Sequence, residues 1–168
     1  MAGVSRSLGS VLPAEFVDRL SQREIERRLG VALPFVTVDD AGRPHAMLLS
    51  YLEVRAYSSS TLGLVVQARS RAARNLAARG AGTLLIVEPD VVVYVKTRAL
   101  DGPLEVVNDE LGLGYFLLAV EEVLEDAAAE WEGSLRITSA IEYRPLPALD
   151  APWVQTTLAA LATPRVRV

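Results

Sequence analysis

The run Thr61-Leu-Gly-Leu-Val-Val-Gln-Ala-Arg-Ser-Arg-Ala-Ala-Arg-Asn-Leu-Ala-Ala-Arg-Gly80 decides how this 168-residue chain is read. Residues 62–66 form an apolar segment long enough for a strand and too short for a helix. Ser70 then stands as an N-cap before an Ala/Arg/Leu segment of strong helix propensity, which stops at Gly80. A strand running into a helix start offers free N–H groups and the positive end of a helix dipole. Arg69, Arg71 and Arg74 add guanidinium forks. That combination suits a phosphate. The same residues also describe a solvated basic face on a surface helix, which is the commoner arrangement.

Working outward, 31–38 is apolar and β-branched, Asp39-Asp-Ala-Gly42 is a turn signal, and 43–54 is the return strand of a hairpin. A second turn at 57–61 leads into the third strand, 62–67. After the helix, 83–87 is a fourth strand, Glu88-Pro-Asp90 a turn, and 91–107 a long fifth strand broken near Asp101-Gly-Pro103. Residues 115–126 read either as a helical face (Phe116, Val120, Val123, Leu124) or as an apolar strand, with propensity favouring helix. Residues 135–143 read as the last strand. Upstream, residues 1–12 read as a loose leader. Phe16, Leu20, Ile25 and Leu29, with charges between them, read as one amphipathic helix from Pro13 to Gly30 that covers one end or face of a sheet. The C-terminal extension, 145–168, carries a short helix from Pro152 through Leu161. Successive hairpins with one inserted helix predict a mainly β fold: a single domain over 1–168, built as a six-stranded antiparallel barrel with flanking helices.

Composition bounds the function. A hydrophobic content of 51% with 23% charged residues is that of a folded globular chain, and a net charge of −4 argues against a general nucleic-acid binder. With no cysteine there is no disulfide, thiolate nucleophile or Cys-based metal site. The apolar runs are too short and too often broken for a membrane-spanning helix, and the first ten residues lack a signal peptide's apolar run, so a cytoplasmic location is expected. Sixteen of the seventeen basic residues are arginine, so a run of arginines carries less information here than usual; Lys96 alone is available for lysine chemistry. The carboxylates Glu121, Glu122, Glu125 and Asp126 read as a solvated cluster, and no metal site is expected. Trp131 and Trp153 read as packing residues, with Trp153 placed to line a cleft. Arg98 and Arg136 lie in strand-like runs and suit either a ligand phosphate or an interface carboxylate.

Three segments in order, Val-Thr-Val-Asp-Asp-Ala-Gly-Arg-Pro-His-Ala (36–46), Leu-Gly-Leu-Val-Val-Gln-Ala-Arg-Ser-Arg-Ala-Ala-Arg-Asn-Leu (62–76) and Val-Tyr-Val-Lys-Thr-Arg-Ala (93–99), resemble the pyridoxamine 5′-phosphate oxidase-like split β-barrel family over about residues 15–145. The resemblance implies a homodimer with flavin mononucleotide (FMN) in clefts at the subunit interface. It implies an oxidoreductase in which the ring carries the electrons and the protein supplies orientation and hydrogen bonds. By position it places the cofactor phosphate on Ser70 and Arg71, with Arg69 or Arg74 as further charge. His45, Ala46, Met47 and Leu48, with Val65 and Val66, would line the ribityl chain and ring largely through backbone groups. No catalytic side chain is assigned.

The chain departs from the family pattern in four places, one being the absence of the glutamine that some members carry near Val92. Ala72 stands where a lysine is expected and Thr97 where a glycine is expected. The end Thr163-Pro-Arg-Val-Arg-Val168 lacks the Arg/His substrate motif, so oxidation of pyridoxamine phosphate itself is not expected. Three alternatives follow: a deazaflavin (F420) in place of FMN, a split barrel that binds a ligand without catalysis, and a haem-handling barrel with His45, the one histidine, as its only imidazole.

Overall fold

The computed structural model describes residues 5–106, 110–126, 131 and 135–167. Its centre is an eight-stranded antiparallel sheet curled into a half-barrel. Along the sheet the order is β3 (Pro44–Ser50), β2 (Ala32–Val38), β6 (Ala81–Glu88), β7 (Val91–Glu105), β8 (Leu113–Asp126), β5 (Thr61–Gln67) and β4 (Val54–Ala56). β1 (Ser5–Gly9) pairs with the far end of β8, from Ser5 opposite Asp126 to Gly9 opposite Val123.

Local chemistry explains the first hairpin. Asp39 Oδ1 accepts the N–H groups of Ala41 and Arg43 at 2.9 and 2.8 Å, and Gly42 takes a positive φ of 77°. Thr37 then stands opposite His45 and Phe35 opposite Met47. The helix α2 (Arg71–Arg79) starts where Ser70 caps it and stops where Gly80 turns left-handed at φ 71°. It crosses from β5 to β6 and seats Ala73 and Leu76 in the barrel core beside Phe35, Leu84 and Val95.

The core has two compartments, which settles the apolar runs. Leu62, Leu64 and Val66 point into the barrel, while Val65 points to the opposite face with Tyr115 and Leu117. There α3 (Pro152–Ala160) and the residue after it cover them with Ala160 and Leu161. β5 and the first half of β8 are therefore buried on both faces.

Four sequence expectations change. Residues 115–126, where propensity favoured helix, lie in β8; a strand covered on both faces shows no alternation to read. A bulge at Glu121, between Lys96↔Glu122 and Thr97↔Val120, keeps both Val120 and Val123 inward. The leader forms β1, because β5 pairs β8 only as far as Ala119 and leaves the rest of that edge open. The single helix over 13–30 is instead α1 (Ala14–Arg19) and a separate 3-10 turn (Ile25–Arg28). Between them Gln22 takes φ 64° so that its Nε2 reaches the carbonyls of Tyr51, Leu52 and Val54 at 3.1–3.2 Å. The expected strand over 135–143 is, within the described part, an extended chain with one bridge, Glu142 to Val31.

One further change, the end of the expected 43–54 strand at Ser50 with β4 separate from it, combines with the gain of β1 and β8 and the loss of 135–143 to give eight strands in place of six. The part assigned to α1 does cover the barrel, since Phe16 and Leu20 sit in its core. No helix among the described residues is long and apolar enough to cross a membrane.

Candidate functional site

Ser70 leaves β5 in an extended conformation, φ −63° and ψ 158°, and its Oγ accepts the Ala73 N–H at 3.1 Å. The Arg74 N–H bonds the Ser70 carbonyl at 3.1 Å. The first two N–H groups of the helix, those of Arg71 and Ala72, have no acceptor among the described residues. The Ser70 hydroxyl keeps its own proton free to donate. The two amides point out of the helix start at the positive end of its dipole, with the Ser70 hydroxyl beside them.

Three arginines gather at this corner. Among the described residues nine of the chain's arginines are ion-paired with carboxylates, and Arg43, Arg55, Arg79 and Arg165 share with these three the lack of a carboxylate partner. Arg69, Arg71 and Arg74 are exposed, and none has a carboxylate partner among the described residues. Arg74 Nη1 instead donates to the Arg69 carbonyl at 2.5 Å, which folds the start of the helix back on its lead-in. Arg71 and Arg74 border a cleft of about 390 Å3 closed on the other side by Asp39, Asp40 and Ala41 of the β2–β3 turn and floored by Asn75 and Ala78. The two Asp39 bonds to turn amides answer part of the negative charge on that wall. Arg79 Nη2 ties the turn to the helix through the Asp40 carbonyl at 2.6 Å.

Among the described residues β3 is an edge strand, paired only with β2. The Asp39 N–H to Arg43 carbonyl bond, 2.9 Å, begins the alternation, so Arg43, His45 and Met47 bond to β2. The N–H and C=O groups of Ala46 and Leu48 therefore point out to the open edge. Leu48 is 60% exposed, and Ala46 is exposed beside it. His45 and Met47 are half-buried, with Met47 packed against the barrel core.

Arg71 and Arg74 thus share a cleft, with Ser70 and Arg69 at the helix start beside it. His45 to Leu48 form the neighbouring edge. The side chains of Val65 and Val66 do not line that cleft. They are 1% and 2% exposed, their side chains fill the two cores, and the Val65 N–H is taken by the Glu53 carbonyl at 2.9 Å. Ala72 is an inward position, 3% exposed. A lysine there would have to cross packed surface to reach the cleft.

Other residues singled out from the sequence find structural partners. Lys96 pairs with Glu122 and Arg98 with Glu121, each at 2.6 Å, Glu125 with Arg6, and Asp126 accepts the Tyr94 hydroxyl at 3.1 Å. Arg136 lies 3.7 Å from Asp90 on the surface. The two tryptophans depart from the packing role expected of them: Trp153 is 40% exposed at the start of α3, and Trp131 is 84% exposed. No group of three or more metal-ligating side chains stands together among the described residues. Asn75 and Thr37 escaped notice from sequence. Asn75 Nδ2 donates to Thr37 Oγ1 at 3.1 Å in the interior, and only the Asn of Ala-Arg-Asn-Leu signalled it.

No family model matches the sequence, and no curated protein is significantly similar to it. Solved structures do share its fold. One from Lactobacillus delbrueckii, named for pyridoxamine 5′-phosphate oxidase, aligns over 70% of this chain and 98% of its own with TM-score 0.54 at 17% identity. An FMN-binding protein from Syntrophomonas wolfei aligns over 68% and 89% with TM-score 0.52 at 11% identity. HupZ of Group A Streptococcus aligns over 79% and 100% with TM-score 0.51 at 11% identity. The strand order, the helix inserted after β5 and these likenesses together give this chain the split-barrel fold of the pyridoxamine 5′-phosphate oxidase-like proteins.

Proposed function

We propose that the chain is a homodimeric FMN-binding oxidoreductase acting on a small substrate. The observation that carries this reading is the start of α2. Three exposed guanidinium groups with no ion-pair partner among the described residues, two free N–H groups and a hydroxyl lie there within a few residues of one another on a split barrel. This donor set fits a phosphate monoester: it offers positive charge and several N–H or O–H donors to one dianion. The open edge at Ala46 and Leu48 offers the alternating donors and acceptors that a flavin's ring and ribityl hydroxyls need.

In this reading Ser70 and the Arg71 and Ala72 amides bind the phosphate, and Arg71, with Arg69 and Arg74, neutralises it. Ala46 and Leu48 orient the ring through their backbone, and a second subunit closing on the exposed β3 edge excludes water. FMN, when bound, supplies one- or two-electron transfer at its ring. The chain places no acid, base or nucleophile of its own in that step. Asp39 and Asp40 across the cleft limit the anionic charge that the site accepts. That limit favours one phosphate over a polyphosphate.

The test is the visible absorption spectrum of the purified protein titrated with FMN and, in parallel, with F420, with the molar mass followed by sedimentation. A bound yellow species at a one-to-one ratio per chain in a dimer is expected. Saturable binding of F420 alone would replace the cofactor. FMN that binds but is reduced by no nicotinamide nucleotide and passes electrons to no acceptor would leave a binding protein. No affinity for either compound would remove the reading.

A further inference from the structure

Asn75 lies one helical turn after Arg71 on α2, and both border the cleft. Its amide nitrogen turns inward. Asn75 Nδ2 donates to Thr37 Oγ1 at 3.1 Å, and the Thr37 hydroxyl donates in turn to the His45 carbonyl at 3.3 Å. Asn75 is 6% exposed and Thr37 0%. A two-bond relay therefore runs through the interior from the helix that carries the arginines to the backbone of β3, at the residue just before Ala46.

Packing alone does not call for this relay. Leucine at 75 and valine at 37 would fill such a site without the cost of burying an amide and a hydroxyl. What apolar contact cannot do is fix direction. Ala73 and Leu76 hold α2 against the sheet, and Arg79 ties the turn from outside, yet neither sets the rotation of the helix against the edge strand. Two directional hydrogen bonds in series do.

We propose that Asn75, acting through Thr37, is a positioning residue for the ligand site: it sets the helix start and the free β3 edge at the spacing that lets one ligand touch both. This inference rests on the phosphate-and-edge reading given above. Loss of the relay should cost most for a ligand that engages both ends, FMN, and least for one that engages the edge alone, riboflavin.

The experiment measures dissociation constants for FMN and for riboflavin by flavin fluorescence, together with thermal midpoints. The proteins are the native chain, Thr37→Val, Asn75→Ala and the conservative Thr37→Ser. Val123→Ala, a core change on the part of β8 that pairs with β1, controls for lost stability alone. The native chain should prefer FMN by about tenfold or more. Thr37→Val and Asn75→Ala should bring the two constants to within about threefold of each other. Thr37→Ser should restore the preference, and Val123→Ala should lower the midpoint and keep it. Asn75→Ala carries the test if Thr37→Val does not fold. A native-like preference in the relay variants would overturn the positioning role and leave the site standing. No preference in the native chain would overturn the site reading and this inference with it.

Discussion

Two corners of the molecule gather arginines, and they use them in opposite ways. Under α1 and the 3-10 turn, Arg19 and Arg28 both reach Glu88 Oε2, at 2.6 and 3.4 Å, and the Tyr51 hydroxyl donates to Glu88 Oε1. The Arg28 guanidinium also lies 5.1 Å over the Tyr51 ring. These side chains are mostly buried, and burial together with the bond to Glu88 pushes the Tyr51 hydroxyl well above the ordinary tyrosine range. At the start of α2, Arg69, Arg71 and Arg74 are exposed and have no carboxylate partner among the described residues. In an arginine-rich chain, residue type does not separate the two corners; carboxylate pairing does, although Arg43, Arg55, Arg79 and Arg165 elsewhere also have no carboxylate partner among the described residues. The first corner is internally neutralised and joins three elements. The second has unspent charge and donors.

The largest effect should come from the paired corner. Glu88→Gln keeps an acceptor for Tyr51 but leaves Arg19 and Arg28 with no counter-charge, and should cost about 2–3 kcal/mol of stability in urea unfolding. That is below the range for a fully buried pair, because both guanidinium groups keep some water. FMN affinity should hardly change. A fall in affinity with intact stability would merge the two corners into one site and break the contrast.

The open corner should answer the other way. Ser70→Ala with Arg71→Ala should weaken FMN binding by about ten- to a hundredfold, or roughly 1.5–3 kcal/mol. It should lower stability only by the lost cap, about 1 kcal/mol. An unchanged dissociation constant would put the phosphate elsewhere.

These contrasts also explain what the sequence made legible. The hairpin turn at Asp39–Gly42 and the run from β5 through the Ser70 cap to Gly80 depend on neighbours within a few residues, so both could be read directly. β8 could not, because the two faces of its first half are covered by elements far away in the chain and a bulge at Glu121 breaks the alternation of its second half. The break after α1 depends on Gln22 meeting carbonyls some thirty residues on. Within the site, the arginines and the cap were visible, but their lack of partners was not, since ion pairing is settled by tertiary contacts. Val65 and Val66 looked suitable for lining a ring because they end a strand at the site. That their side chains are core on both faces, leaving only backbone for that role, needed α3 in place. Asn75 was quoted without a role because its partner, Thr37, is chosen by the fold.

A smaller effect sharpens the contrast from the acidic side. Glu53 is largely buried and, among the described residues, is answered only by the Ser50 N–H and hydroxyl, at 2.7 and 2.8 Å, with no cation. Burial raises its carboxyl above the ordinary glutamate range, partly offset by those two bonds. The folded chain therefore holds this proton more tightly than the unfolded chain. The resulting stability is full below the unfolded-state pKa and is lost as pH rises through the folded-state one. Glu53→Gln should flatten that slope and leave stability at neutral pH equal or higher, as read from thermal midpoints across acidic to neutral pH. A loss at neutral pH with the slope intact would show that the carboxylate charge is needed there.

Smallest of all should be Arg98→Ala. Its pair with Glu121 is exposed on both sides, at 58% and 49%, and its loss should change stability by no more than about 0.5 kcal/mol. A cost approaching that of Glu88→Gln would mean that exposed pairing, too, holds the barrel together.

The most direct test of the central claim, that the unpaired arginines at the start of α2 hold a cofactor phosphate, compares FMN with riboflavin on the native chain at low and high salt. FMN should bind about tenfold or more tightly at low salt, and its advantage should shrink as salt screens the phosphate. Equal affinities at every salt concentration would contradict the account.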